Sequence, residues 1–384
     1  MDIFIGDCVR SVRGKARPDG GLAAQTPHGL VGALIDAMEQ RGAIRRSDVD
    51  RLTLGCVGQI GAQGGHIALV TKIASRLPEN SSAHTINNFC VSGLTAIGQA
   101  ASAVSAGQIQ VALAGGVEML SQVAFMADQA NYYTDTAFEP GDRYIPVVLA
   151  ADLLAAEQNV TRAEMDELSY LSQSRAAKAE ADNDLQASRI AIGDLDHDEA
   201  VRVTDREKLA TMPPAFGELA NQYAHALTGA TLEPLMSVAN APPMTDGAGL
   251  AVIGGQEAFS SPRARVVAFA DAGGDARQSL TAGFVAMDMV LDQSGLSLDQ
   301  MDRIEFMEAF AVPYALFRRN YQPDMDKVNV SGGHIAKGHP MGATGAILLS
   351  TLLDALDAAD GKYGLVVASG AQGVGAAMIV ERLT

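Results

Sequence analysis

Cys90 and His339 are the two side chains whose surroundings mark them for chemistry. Cys90 lies in Asn87-Asn88-Phe89-Cys90-Val91-Ser92-Gly93-Leu94, where a strand-like run gives way to small, helix-forming residues. A helix N-terminus offers free N–H groups and a positive partial charge, which stabilise a thiolate and a developing oxyanion. Gly93 would let a substrate approach the backbone closely. His339 precedes Pro340 in a stretch with five glycines among the fourteen residues Gly332 to Gly345, a turn that leaves the ring little freedom. A cysteine so placed can serve as a covalent nucleophile. The plainer alternative is a buried cysteine opening a core helix and a histidine on a tight turn.

The remaining candidates are weaker. Cys8, Cys56 and Cys90 are odd in number and widely spaced, which fits neither a disulfide framework nor a zinc site. Cys8 and Cys56 read as core filler. His28, His66, His84, His197 and His225 have no partners at metal-ligand spacing, so no metal is expected. The glycines of 332–345 lack the Lys-Ser/Thr that a phosphate-cradling loop needs, and Gly370-Ala371-Gln372-Gly373-Val374-Gly375 has no acidic residue at the distance of a dinucleotide fingerprint.

Charge and composition narrow the class. Forty-five acidic residues against 28 basic ones give a net charge of −17, a field that repels polyanions and argues against a nucleic-acid partner. No unbroken apolar run reaches the ~18 residues of a membrane span, and MDIFIGDCVR lacks a signal peptide's order, so a cytoplasmic protein is expected. With 384 residues and 48% apolar content the chain predicts two or three packed units. Abundant Ala and Gly suit closely packed α/β layers.

The elements that must hold Cys90 and His339 can be read from periodicity. Apolar runs predict strands over 2–9, 51–57, 83–89, 110–114, 246–254, 266–270, 304–307, 365–368 and 377–381. Helical patterns cover 27–39, 67–76, 92–106, 161–181, 284–294 and a stretch ending at Ala358. Residues 120–242 differ: they hold most of the tyrosines, an acidic stretch near 194–198 and two Pro-Pro pairs, and read as an inserted lobe. Each end of the chain carries a glycine turn, a small-residue helix, a buried strand and a Gly-rich bend. That pattern predicts a duplication with the Cys90 and His339 turns facing across a pseudo-twofold axis.

Asn87–Ala96, Gly115-Gly116-Val117-Glu118-Met119-Leu120-Ser121 and Gly338-His339-Pro340-Met341-Gly342-Ala343-Thr344-Gly345 resemble the three signature blocks of the thiolase family. Weaker matches at 55–64, 214–216, 240–248 and 308–310 follow in family order along the whole chain. The resemblance implies the five-layered αβαβα thiolase fold: an N-terminal half over 1–119 plus 243–262, a loop domain over 120–242 and a C-terminal half over 263–384. It also implies a homodimer or homotetramer, no bound cofactor, and coenzyme A thioesters as substrates. By position Cys90 matches the acylated nucleophile and His339 the histidine that activates it. The backbone N–H groups of Cys90 and of the Gly370–Ala371 bend match the oxyanion hole.

The departures matter equally. The family's second cysteine, which moves the α-proton in carbon–carbon bond formation, falls on Ser369 without a gap or on Ala368 with one inserted residue. Met307-Glu308-Ala309-Phe310 replaces a block that normally begins with Asn or His, Ser331 replaces an Asn, Pro213 an arginine and Pro242 a serine of the coenzyme site. Expected catalytic residues are therefore Cys90, His339, Ser369, His334 and Glu308, and expected substrate contacts are Met307, Phe310, Met341 and Pro242. His334 stands where small residues are usual, and a solvated loop histidine is its plain alternative. Three readings follow: an acyltransferase of divergent or biosynthetic role, a working thiolase whose carbon acid is deprotonated by His334, His339 or Glu308, or an inactive binding subunit. An acyl carrier protein could replace coenzyme A if Arg318, Arg319 and Lys337 formed a basic patch.

Overall fold

The computed structural model describes residues 2–227 and 232–383. Strand β1 (Ile3–Ser11) is followed by helix α1 (Pro27–Gln40), β2 (Arg51–Gly55), α2 (Ile67–Ala74), β3 (Ser82–Ile86), α3 (Ser92–Ser105) and β4 (Val111–Met119). Helices α4 (Val147–Glu157) and α5 (Arg162–Ala179) lie in the following long segment, which among the described residues adds only the two-residue strand Arg189–Ile190 to the sheet, beside β1. Then come β5 (Thr245–Gly254), β6 (Ala264–Gly273), α6 (Ala282–Ser294), β7 (Arg303–Phe306), α7 (Ala311–Tyr321), α8 (Thr344–Ala358), β8 (Tyr363–Gly370) and β9 (Val374–Arg382).

The strands run in the order β3-β2-β4-β5-β1-β6-β9-β8-β7, and an isolated bridge from Ile304 adds Val328 beyond β7. Numbered within each half, both groups have the order 3-2-4-5-1, mirrored about the β1–β6 junction. The duplicated pattern thus appears as repeated topology. The junction itself is slight, joining Ile3, Phe4 and Ile5 to Val266, Arg265 and Ala264. Helices α3 and α8 pack on each other and on strands of both halves. Outside them, α1 and α2 cover the first half and α6 the second, which makes five layers.

Local chemistry explains the elements nearest the site. Thr26 caps α1 by accepting the Gly29 N–H, Pro27 occupies the first turn, and Leu30, Val31, Leu34, Ile35 and Met38 form its buried stripe. Helix α8 is buried from Thr344 to Leu356; the 18 residues Met341–Ala358 have a mean hydropathy of 1.3, as suits a helix enclosed on all sides. Its crossing with α3 is tight: a Cβ on Gly345 would lie 2.4 Å from the Leu94 nitrogen, and one on Gly93 2.8 Å from the Gly342 carbonyl oxygen. Glycine at those points lets the two helices meet.

Two expectations change. The strand expected to end at Ala114 continues through Gly115 and Gly116 to Met119, because β2 and β5 pair with it on both sides. Gly115 there marks close strand packing, since a Cβ would come within 2.0 Å of the Gly249 oxygen. Helices α4 and α7 have no counterpart among the expected elements; Leu149 to Ala155 and Ala311 to Phe317 are all buried, so no polar face advertises either.

Candidate active site

The turn after β3 carries Cys90. Asn87 Oδ1 accepts the Phe89 N–H at 3.0 Å, Ser92 Oγ accepts the Asn88 N–H at 2.8 Å, and the Ser92 hydroxyl donates to the Phe89 oxygen at 2.6 Å. These bonds hold Phe89 at φ +46°, a left-handed conformation that costs a bulky residue roughly 1–2 kcal/mol. The strain aims the next side chain outward. Cys90 is the partly exposed thiol; Cys8 and Cys56 are fully buried. Burial nevertheless pushes the Cys90 thiol up to about 12, although N–H groups of Ala371 and of Cys90 itself favour the thiolate. Burial thus outweighs the helix-end donors and favours the neutral thiol.

His339 is fixed from three directions. Its N–H donates to the Pro243 oxygen at 2.9 Å, Nδ1 lies 2.7 Å from Thr344 Oγ1, and Arg13 Nη1 donates to the neighbouring Gly338 oxygen at 3.0 Å. Burial, with Arg13 adding to it, lowers the imidazole to about 3, so the ring is neutral. Glu118 ties the two halves beneath the site. Its Oε2 accepts the N–H groups of Val57 and Gly342, at 2.9 and 3.1 Å, and its Oε1 those of Gly58 and Gln63 Nε2.

Cys90 and His339 border one chamber of about 60 Å³, which Ser369, Ala371, Pro242, Phe310 and Met341 also line. Sequence reasoning missed the rest of its wall, among them Phe89, Phe125, Val147, Met244 and Leu280. Phe125, Val147 and Leu280 come from three segments that no motif marks, while Phe89 and Met244 lie inside recognised blocks that do not show which way their side chains face. A wider, largely apolar cavity of about 530 Å³ shares Phe125, Val147, Pro242, Met244 and Phe310 with the chamber; Arg202 is the charged residue in its lining. Of the two placements for the second cysteine, Ser369 reaches the chamber and Ala368 does not. Ser369 Oγ accepts the Gly283 N–H at 3.1 Å, at the first turn of α6.

Other expected residues lie elsewhere. Glu308 is fully buried, its carboxylate accepting from Ser172 Oγ at 2.6 Å, Asn329 Nδ2 at 2.9 Å and the Ile335 N–H at 3.2 Å. It braces the histidine block and does not border the chamber. His334 is likewise buried, not a solvated loop residue, because the short helix His334–Lys337 turns it inward. Neither of its ring nitrogens has a hydrogen-bond partner, and its ring meets that of His339 edge to face at 5.6 Å. Burial and Arg13 hold it well below the usual histidine range. Met307 packs in the core, its N–H bonded to the Val367 oxygen. Gly370 approaches Cys90 through its backbone, since a Cβ there would stand 3.3 Å from the Cys90 nitrogen. Lys337 is sealed, donating to Ser331 Oγ at 2.9 Å, and cannot join a surface patch; Arg319 is paired with Glu164.

The thiolase N-terminal domain matches residues 4–257 and the thiolase C-terminal domain residues 260–382. The chain therefore belongs to the thiolase family, a family of acyltransferases. It is 30% identical to a steroid 3-ketoacyl-CoA thiolase of Mycobacterium tuberculosis, over all of this chain and 94% of that protein. Identity to a beta-ketoadipyl-CoA thiolase of Pseudomonas aeruginosa is 31%, over 100% and 99% of the two chains. Identity to an acetyl-CoA acetyltransferase of Escherichia coli is 32%, over 95% of each. Among solved structures, human mitochondrial 3-ketoacyl-CoA thiolase superposes with a TM-score of 0.88 at 26% identity, covering 100% of this chain and 99% of that one.

Proposed function

We propose that the chain takes an acyl group from an acyl-coenzyme A thioester onto Cys90 and passes it to a second acceptor in a divergent or biosynthetic role. The observation that carries this reading is the chamber shared by the one partly exposed thiol and a neutral imidazole. As Cys90 Sγ attacks the thioester carbonyl, His339 takes the thiol proton. Neutral partners suit concerted transfer, in which the proton leaves as the carbon–sulfur bond forms. The carbonyl oxygen gains charge and accepts from the backbone N–H groups of Cys90 and the Gly370–Ala371 bend. Collapse expels the coenzyme thiolate, which recovers the proton from His339.

Coenzyme A is favoured over a carrier protein because relatives named for coenzyme A thioesters match along the whole chain, and because buried Lys337 removes one cation of the carrier patch. The wide apolar cavity beside the chamber would take the pantetheine arm. Three units, 1–119 with 243–262, 120–242 and 263–384, accord with the repeated strand order. A homodimer would cover the open edge of β3, near which Leu69 and Ile73 of α2 are exposed.

Acetyl-coenzyme A followed by peptide mass spectrometry tests the reading. An acetyl group is expected on the peptide holding Cys90, with Cys8 and Cys56 unmodified and no adduct in the Cys90→Ser variant. Wild-type protein that stays unacylated would show a binding subunit instead.

A further inference from the structure

The site has the groups for making an acyl-cysteine and lacks those for ionising a carbon acid. Among the described residues, the ionisable groups bordering the chamber are Cys90 and His339. Once Cys90 carries the acyl group, its sulfur is no longer available as a base. Ser369, where the family has a thiol, offers a hydroxyl oxygen that already accepts the Gly283 N–H at 3.1 Å. An alcohol oxygen facing the positive end of a helix is a poorer base still. Glu308 is closed off by three donors, and His334 is buried behind His339. The remaining side chains of the chamber wall are apolar, and the N–H groups of Cys90 and Ala371 are taken by the acyl carbonyl, so no side chain there would steady a separate enolate.

We infer that the acyl group on Cys90 passes to an acceptor that attacks through an N–H or O–H group (an amine or alcohol) and not to the α-carbon of a second thioester. The inference rests on the acyl-Cys90 reading above. In the step, the heteroatom–carbonyl bond forms and the carbonyl–Sγ bond breaks. His339 takes the acceptor's proton and returns it to the departing Cys90 thiolate, so the enzyme ends as it began. The two acceptor classes differ in timing. A heteroatom becomes acidic as it bonds to the carbonyl, so a weak base in contact suffices. An α-carbon must lose its proton before it becomes a nucleophile, which demands a strong base in place. His339, lowered to about 3 by burial and Arg13, is a weak one. The adjoining cavity, apolar apart from Arg202, suits an acceptor with an apolar body.

The test runs the wild-type enzyme with acetyl-coenzyme A in D₂O, with benzylamine or benzyl alcohol as acceptor. Three readouts are taken: acetyl on Cys90, deuterium in recovered acetyl-coenzyme A, and acetylated probe. The expected result is Cys90 acylation and enzyme-dependent acetylation of at least one probe, with no deuterium above the enzyme-free control. Deuterium in the acetyl group, or acetoacetyl-coenzyme A as product, would overturn the inference while leaving acyl-Cys90 standing. Acylation with no probe acetylated also overturns it. Failure of Cys90 to acylate at all would instead remove the reading beneath it. In the Ser369→Cys variant, α-deuteration should appear at least tenfold above the wild-type level; without that gain, Ser369 is not the missing base.

Discussion

His339 Nδ1 and Thr344 Oγ1 lie 2.7 Å apart, one residue on the glycine turn and the other at the first position of α8. When Nδ1 donates to this hydroxyl, Nε2 is the nitrogen left to accept a proton. The contact thus gives the ring a base on the side away from Thr344. Replacing Thr344 by Val keeps the shape and removes the partner, a loss of ~1–3 kcal/mol in a buried site. Acylation of Cys90 by acetyl-coenzyme A should slow about 10- to 100-fold. Thr344→Ser should restore most of the rate, which stopped-flow release of coenzyme A would show; equal loss in both variants would make the residue a packing element.

The resting thiol sets a second expectation. With Cys90 at about 12 and His339 at about 3, both partners are neutral across the physiological range. The rate of Cys90 alkylation by iodoacetamide should climb about tenfold per pH unit from pH 7 to 10, because the thiolate fraction does. A free cysteine would level off above about pH 8.5. A preformed thiolate–imidazolium pair would already be flat near neutrality, and that profile would contradict the neutral pair.

A third expectation concerns the scaffold. Asp198 is fully buried and receives Arg10 through Nη1 at 2.9 Å and Nη2 at 3.0 Å, with the Arg13 N–H on Oδ1 at 3.0 Å. Asp198→Asn leaves two buried guanidinium groups short of a counter-charge and should cost about 3–5 kcal/mol. Burial works against the Asp198 charge, but Arg10 and Arg13 outweigh it and hold the carboxyl well below its ordinary range. A lowered folded-state pKa adds stability above the unfolded value of ~3.9, lost as pH falls towards the folded one. The deficit of the variant in urea unfolding should therefore be full at pH 7 and shrink below about pH 4.

Asp198 also shows where the sequence was opaque. Its acidic, irregular stretch resembles a solvated loop, and nothing local announces that it closes over two arginines 185 or more positions away. His334 and Lys337 misled in the same way: polar residues between glycines suggest exposure, yet helix α5 packs against their short helix and both side chains are buried. Glu308 carried a plausible charge for catalysis, and only its three donors reveal a brace.

What the residues alone determined was local or pairwise in kind. The strand-to-helix turn at Cys90, the glycine turn at His339, the loss of the second thiol at Ser369 and the repeated order of elements follow from neighbours in the chain, because periodicity, glycine and proline act over a few residues. Tertiary structure decided which polar side chains face the chamber and which are sealed, and it set the proton of each. Both depend on how much water the surrounding segments exclude and which charges they bring near, and those segments come from every part of the chain.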